Sequence, residues 1–301
     1  MTTALDALRE SVQDWPVDAN ARSAIPRLDI YRVTQPLTLP PEVYPPFISL
    51  ILQGEKQLQI GSRLFRYSAG QAFISSVDLP ASGKIVGASD AAPYLAVRLT
   101  FDLAVIRALL HVSPAVSEPP AGPGFAVEDA DATLLDAWLR LVRLTHHPED
   151  IAVMAPLTER EIVYRLLRGP QGALLRQATD TSGYFSSIRS AVSWLKTHYA
   201  SPVRIEQLAH MTNMSISVFH RRFKASTGFS PLQYQKHLRL YAARNLLFRQ
   251  PGNVAAVAST VGYDSLTQFT REYSRLFGIP PARDARDHRG VGAFQQVRSL
   301  S

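Results

Sequence analysis

Near its C-terminus the chain repeats a pattern of helix, turn and helix, and a repeat at this spacing restricts the possible folds more than any other feature of the sequence. In the first copy residues 205–209 form a short helix, 211–214 a turn, and Ser215 the cap of a second helix over 216–225 that stops near Gly228. In the second copy 254–258 form the short helix, 261–264 the turn, Ser265 the cap, and 266–277 the second helix, which stops at Gly278. The chemistry repeats along with the order. Each serine oxygen can accept from an early helical N–H, and each glycine can take the left-handed conformation that ends a helix. Ala209 and Ala258 stand where two helices cross and only a small side chain lets the backbones approach. Phe219 and Phe223 correspond to Phe269 and Tyr273, each pair four residues apart and therefore on one buried stripe. From the alanine to the first aromatic is 10 residues in one copy and 11 in the other, so the second turn is longer by one and contains the glycine.

With those aromatics inward, Ser217, His220, Arg221 and Lys224 face outward in the first copy, and Thr267, Gln268, Arg271 and Arg275 in the second. Arg221 and Arg271 can donate bidentately to guanine O6 and N7 and Gln268 can pair with adenine, while Ser217, His220 and Thr267 are shorter polar readers. Arg222, Lys224 and Arg275 suit phosphates, which position a helix without reading sequence. Any one of these residues reads equally well as ordinary surface. Two copies inside one basic domain decide between the readings: residues 187–301 carry 16 Lys and Arg against 5 Asp and Glu, whereas 1–186 carry 16 against 20, giving +11 and −4 within a chain of net +7. A basic lobe on a mildly acidic one implies that only the C-terminal part meets a polyanion. Between the copies, Ser230 as N-cap and Pro231 at the first helical position open a helix over 231–248. At about 1.5 Å per residue it is a rod of about 27 Å. That rod can hold two recognition helices approximately one turn of B-DNA, about 34 Å, apart on one face of the duplex. A-form RNA, whose major groove is too narrow for a helix, does not suit this geometry.

The N-terminal part has another character. Runs at 47–52, 56–60, 63–67, 71–77 and 94–101 are short and rich in β-branched and aromatic residues, with turn signals such as Gln53-Gly54, Gly61-Ser62, Ala69-Gly70 and Ala92-Pro93 between them. They predict an antiparallel sandwich or barrel. From 103 on, the period moves to that of a helix, with further helices over 131–146 and 157–167, a loop over 114–124, and Gly169-Pro170 as a stop. With 46% hydrophobic and 19% charged residues, both domains can bury a core. No apolar run approaches the roughly 20 residues of a membrane helix, and no secretory signal is evident, so the expected compartment is the cytoplasm.

The C-terminal residues resemble the AraC family of bacterial transcription regulators over about 187–287. Leu208-Ala209, Met214-Ser215, Phe223-Lys224, Thr227-Gly228-Phe229-Ser230-Pro231, Tyr234, Leu238-Arg239-Leu240, Ala243, Leu246-Leu247, Val261-Gly262-Tyr263, Phe269, Phe277-Gly278 and Pro280-Pro281 carry the likeness. The N-terminal part is similar to the cupin-like domain of such regulators through Gln53-Gly54, Tyr67-Ser68-Ala69-Gly70, Val77-Asp78-Leu79-Pro80, Pro93-Tyr94-Leu95-Ala96 and Gly169-Pro170-Gln171-Gly172. The resemblance implies an α+β two-domain protein, a cupin-like antiparallel β-barrel with flanking helices followed by an all-α domain of two helix-turn-helix units. It also implies promoter DNA and RNA polymerase as partners, a homodimer, and a small-molecule effector in the barrel whose pocket residues it does not identify. Ser217 departs from the bulky or basic residue many members carry there, and Leu266 is set to touch a thymine methyl or to pack.

The domain limits that follow are an arm over 1–25, a barrel domain with helices over 26–175, a linker over 176–186, a DNA-binding domain over 187–287, and a disordered tail over 288–301. Two other readings of the barrel stay open: a domain that only dimerises, and a metal-free enzyme. A cupin metal centre needs several converging imidazoles, and residues 1–110 contain no histidine. With no cysteine either, no thiolate-held metal or disulfide is expected. His146-His147, at the end of a predicted helix, reads as a dipole complement and not as a metal site. Glu159 and Glu161 point different ways on a helix and read as solvated or ion-paired. With no nucleophile elbow, phosphate loop or dinucleotide fingerprint, neither catalysis nor a cofactor is expected.

Overall fold

The alternating runs of the N-terminal half fold as two antiparallel sheets in the computed structural model, which describes residues 3–17, 22–112, 123–170, 172–179, 183–249 and 252–290. The strands are β1 (Leu28–Val33), β2 (Leu37–Tyr44), β3 (Phe47–Gln53), β4 (Glu55–Ile60), β5 (Arg63–Ser68), β6 (Gln71–Ser75), β7 (Leu79–Val86), β8 (Tyr94–Thr100) and β9 (Phe125–Asp129). One sheet has the order β1-β8-β3-β6-β9, the other β2-β7-β4-β5. Among the described residues the pairing stays within each sheet, so the expected barrel is an open two-sheet sandwich. Part of the reason lies in β2: Pro40 and Pro41 have no N–H to give a ladder, the register shifts between Leu39 and Glu42, and the strand is left at an edge.

The period of two assigns the two cores. On β3, Ile48, Leu50 and Leu52 pack toward helices, whereas Phe47 and Ile51 face the other sheet. The helix layer consists of α1 (Ala4–Val12), α2 (Leu103–Val112), α3 (Ala132–Arg143), α4 (Pro148–Arg168) and α5 (Gly172–Thr179). Trp138, Leu141, Ile162, Val163 and Leu175 are all but inaccessible in that layer. Each such side chain contributes about 1.5 to 3 kcal/mol relative to exposure.

Four expectations are corrected here. The arm over 1–25 contains α1, whose Thr3 and Asp6 form a reciprocal capping box and whose Leu8 and Val12 sit in the helix-layer core. Strand β9 follows the 114–124 loop, of which 113–122 lie outside the described residues. The helix predicted over 157–167 starts at Pro148 and runs through Pro156, because Pro156 and Ala152, whose carbonyl it leaves unbonded, are both exposed to water. Finally, α5 occupies the first half of the predicted linker, with 180–182 outside the described residues. Of the predicted tail, 288–290 complete the last helix and 291–301 lie outside the described residues.

The C-terminal domain comprises α6 (Tyr184–His198), α7 (Ile205–Met211), α8 (Ile216–Thr227), α9 (Pro231–Arg249), α10 (Val254–Thr260), α11 (Leu266–Phe277) and α12 (Pro281–Gly290). Ser230 and Gln233 cap α9 reciprocally, each side chain bonding the other's backbone N–H, at 3.4 and 3.1 Å. No described helix is long and apolar enough to cross a membrane.

Candidate nucleic-acid interface

Each pair α7/α8 and α10/α11 closes through the same set of backbone bonds. Thr212 N donates to Leu208 O at 3.1 Å, Asn213 N to His210 O at 2.9 Å and Met214 N to Ala209 O at 2.9 Å. In the second pair Val261 N donates to Val257 O at 3.1 Å, Gly262 N to Ser259 O at 2.9 Å and Tyr263 N to Ala258 O at 2.9 Å. Asn213 and Gly262 hold the same left-handed place, at φ 52° and 87°. Asparagine tolerates it. At 262 only glycine fits, because a Cβ would lie 1.9 Å from Ala200 O. Asp264 is then the extra residue before the cap.

The recognition helices match as closely. Ser215 Oγ accepts from Val218 N, Ser265 Oγ from Gln268 N, and Gly228 and Gly278 close the far ends in the left-handed conformation. Phe219 and Phe223 are fully buried with ring centroids 5.5 Å apart at 58°, Phe269 and Tyr273 likewise 5.5 Å apart at 56°. Fixing those rings fixes what points away. Ser217, Arg221, Lys224, Thr267, Gln268, Arg271 and Arg275 are exposed, and His220 and Arg222 are half-buried. Arg222 lies with its guanidinium 4.6 Å from the Tyr184 ring centroid, a cation–π contact that binds it to α6. Gln268 leans on Glu272, and Glu272 also accepts from Tyr263 Oη at 2.8 Å. Leu266 is exposed rather than packed.

Two residues that sequence reasoning left without a role join the units. Arg239 on α9 donates to Tyr199 O at 2.7 Å, Gly262 O at 2.8 Å, Ala200 O at 3.2 Å and Ser201 O at 3.1 Å. Gln235 adds bonds to Tyr199 O and Ser201 O. Together they tie the end of α6 to the turn of the second unit. Burial, opposed by Tyr263, Asp264 and Glu272, lowers the Arg239 pKa from its usual value. The signal available in the sequence was a cation between two buried leucines, Leu238 and Leu240, on an otherwise half-apolar helix.

The two units differ in what lies behind them. The first shares its core with the sandwich interior, and its far end abuts the sandwich: Gly124 N donates to Ser226 O at 3.1 Å, Tyr234 Oη to Asp78 O at 3.1 Å, and Lys196 pairs with Asp78 at 2.7 Å. A Cβ on Gly61 would stand 2.6 Å from Gly228 O. The second unit has a core of its own, within residues 240–285. There Arg244 and Tyr273 Oη converge on Asp284.

The other sequence candidates fall elsewhere. Glu159 is buried and paired with Arg27 at 2.6 Å, its pKa raised by burial against the pull of Arg27. Glu161 accepts from Arg140 and Arg165. His146 ends the 3-10 turn (Leu144–His146) that continues α3, where a helix end was expected, and His147 caps both that turn and the start of α4, forming an exposed group with Glu149 and Asp150. The two acids lie in the first turn of α4, where acids complement the helix dipole.

Comparison with known proteins gives two family matches, AraC-type transcriptional regulator N-terminus over residues 24–174 and helix-turn-helix domain over 208–287. The chain is similar to the HTH-type transcriptional activator RhaS of Salmonella paratyphi A, 30% identical over 161 residues, which are 52% of this chain and 56% of that protein. It thus spans about half the length of the curated relatives it matches. Among solved structures, ToxT of Vibrio cholerae described as bound to an unsaturated fatty acid has a TM-score of 0.57 at 10% identity, covering 86% of this chain and 94% of that one. Another ToxT structure gives 0.54 at 11% identity, with 87% and 98% covered. At such identities the likeness concerns the fold, here both domains in one arrangement.

Proposed function

The chain belongs to the AraC-type transcriptional regulators, and from that premise we propose that it reads two successive major-groove segments of promoter DNA with α8 and α11, under the control of a small molecule held in the sandwich. Arg221 and Arg271 are the guanine readers and Gln268 the adenine reader, with Ser217, His220 and Thr267 making shorter polar contacts. Lys224 and Arg275 grip phosphates. Arg222, held over Tyr184, contributes least of the set. One observation carries the reading: seven of these nine side chains are exposed, on two helices whose turns, caps and buried ring pairs are equivalent.

The effector reading is supported by the fatty acid named with the ToxT structure of the same fold. A homodimer is supported by α4, where four large apolar side chains, Val153, Met154, Leu157 and Tyr164, stand exposed on one helix. The curated relatives are named activators, which supports RNA polymerase as a further partner and a regulatory, not enzymatic, role in the cytoplasm. The test is selection of genomic fragments by the full chain. The reading expects a small set of enriched duplex sites; no enrichment, or RNA competing as well as duplex DNA, would refute it.

A further inference from the structure

The strand registers set two polar rungs face to face inside the sandwich. In the five-stranded sheet Asp29 pairs with Arg98, Arg98 with Ser49 and Ser49 with Phe73, so these four side chains run across one level of the inner face. In the other sheet Leu37 pairs with Ile85, Ile85 with Lys56 and Lys56 with Tyr67. Directly opposed residues hold their Cβ atoms about 5 Å apart. The rungs meet at one aromatic ring: Lys56 Nζ lies 6.0 Å, and Arg98 Cζ 5.5 Å, from the centroid of Tyr44.

The two cations are not equally satisfied. Arg98 donates to Asp29 Oδ2 from Nε at 3.0 Å and from Nη2 at 2.8 Å, and its Nη1 lies 3.7 Å from Glu42. Lys56 is 8% exposed and has neither a hydrogen bond nor an ion pair among the described residues. The hydroxyl of its cross-strand neighbour Tyr67 is also buried and makes no hydrogen bond of good geometry, with the Ser49 side chain beside it. A largely desolvated ammonium with no protein acceptor is costly for a fold to hold. A chain that keeps one beside a second cation and such a hydroxyl has the donor set of an anion site.

We propose that Lys56, with Arg98 and Tyr67, anchors the carboxylate of the effector, a small monoanion with an apolar, aromatic-compatible body. This rests on the effector reading above and adds its chemical class. Geometry selects a single anionic group: Asp29 is held to Arg98 and the half-exposed Glu42 lies against the same guanidinium, so Lys56 is the cation that no carboxylate reaches. The body is selected by the rings of Tyr31, Tyr44, Phe47, Phe73 and Tyr94, which line the same interior. Burial first, and then Arg98, push the Lys56 pKa down to about 8 against the pull of Glu42, and an arriving carboxylate reverses that shift. Five residues beyond Lys56, the turn that follows the same strand sets Gly61 against Gly228 of the first helix-turn-helix unit, so an occupant bears on a strand that leads to the DNA-binding domain.

Thermal unfolding of the full chain tests this with benzoate, hexanoate and decanoate, each beside its primary amide. At least one acid should raise the wild-type Tm by about 2 to 4 °C or more, and its amide should not. Lys56→Met should abolish that rise and, by removing an unanswered charge, raise the Tm of the unliganded chain. Tyr67→Phe, a milder change, should reduce the rise. A carboxylate shift that survives in Lys56→Met overturns the assignment, as does an unliganded Lys56→Met less stable than wild type, or no response to any acid. Amides that bind wild type and Lys56→Met alike would overturn the anion class while leaving the effector reading intact. If neither acids nor amides bind, both readings fall.

Discussion

The two helix-turn-helix units share their turns, caps and buried ring pairs, yet the first is fastened to the sandwich and the second is not. Inside a unit the geometry follows from a few local residues: a crossing alanine, a left-handed turn residue, a capping serine and two stacked rings. What differs lies at the ends. Ser226 and Gly228 of the first unit meet Gly124 and Gly61, whereas a Cβ on Gly278 of the second would meet nothing within 4 Å. The second unit is instead held from within its own domain, by Arg239 on its turn and Asp284 beneath its ring pair. On the proposed reading the same motif serves two ends: the first unit is placed to feel a change in the sandwich, and the second is a reader whose position depends on α9.

The comparison breaks most visibly at the turn residue. Gly262→Ala must force a Cβ into Ala200 O at a positive φ, and should destabilise the chain by about 3 kcal/mol or more, read by urea unfolding. Asn213→Gly, at the matching place in the first unit, should stay within about 1 kcal/mol. Equal losses would mean that the turns are not held differently.

Next in size are the readers. Arg221→Ala and Arg271→Ala should each weaken specific binding by about 1 to 3 kcal/mol while leaving random duplex nearly unaffected, measured by fluorescence anisotropy. Equal losses on both duplexes would make them phosphate contacts.

A smaller effect sharpens the difference in anchoring. Lys196→Met removes a partly exposed bridge to Asp78, worth up to about 1 kcal/mol. It should speed amide exchange in α8 and leave α11 unchanged, and matched changes in both helices would remove the distinction drawn here. Smallest is the electrostatic share. Lys224→Ala and Arg275→Ala should each flatten the slope of log K against log salt by about 1, uniformly across sequences.

Much of the C-terminal domain was legible in the sequence because its signals are local. Ser215, Gly228, Ser265 and Gly278 fall where the caps were expected, and the extra turn residue near Gly262 was visible in the spacing alone. The N-terminal domain was read less completely. Strand β9 is five residues long and earns its place only by pairing with β6, a contact across some fifty residues that no local pattern announces. Helix α1 is only nine residues long, with Leu5, Leu8 and Val12 as its large apolar side chains, and its burial depends on α3 arriving over it. Closure failed for a similar reason, since whether β2 finds a second partner beyond β7 depends on prolines that sequence reading passed over. At the interface, the outward set followed from the inward aromatics. Arg239 did not, because its four carbonyl partners come from residues 199–201 and 262, far apart in sequence and joined only in the fold.

The most direct measurement is selection of binding sites from random duplex DNA by the wild type, Arg221→Ala and Arg271→Ala. The wild type should yield a site with two information-rich halves centred about 10 base pairs apart. Each substitution should erase one half and spare the other, Arg221→Ala and Arg271→Ala affecting opposite halves. A single undivided motif, or two variants that degrade the whole site alike, would contradict a chain that reads DNA with two helices.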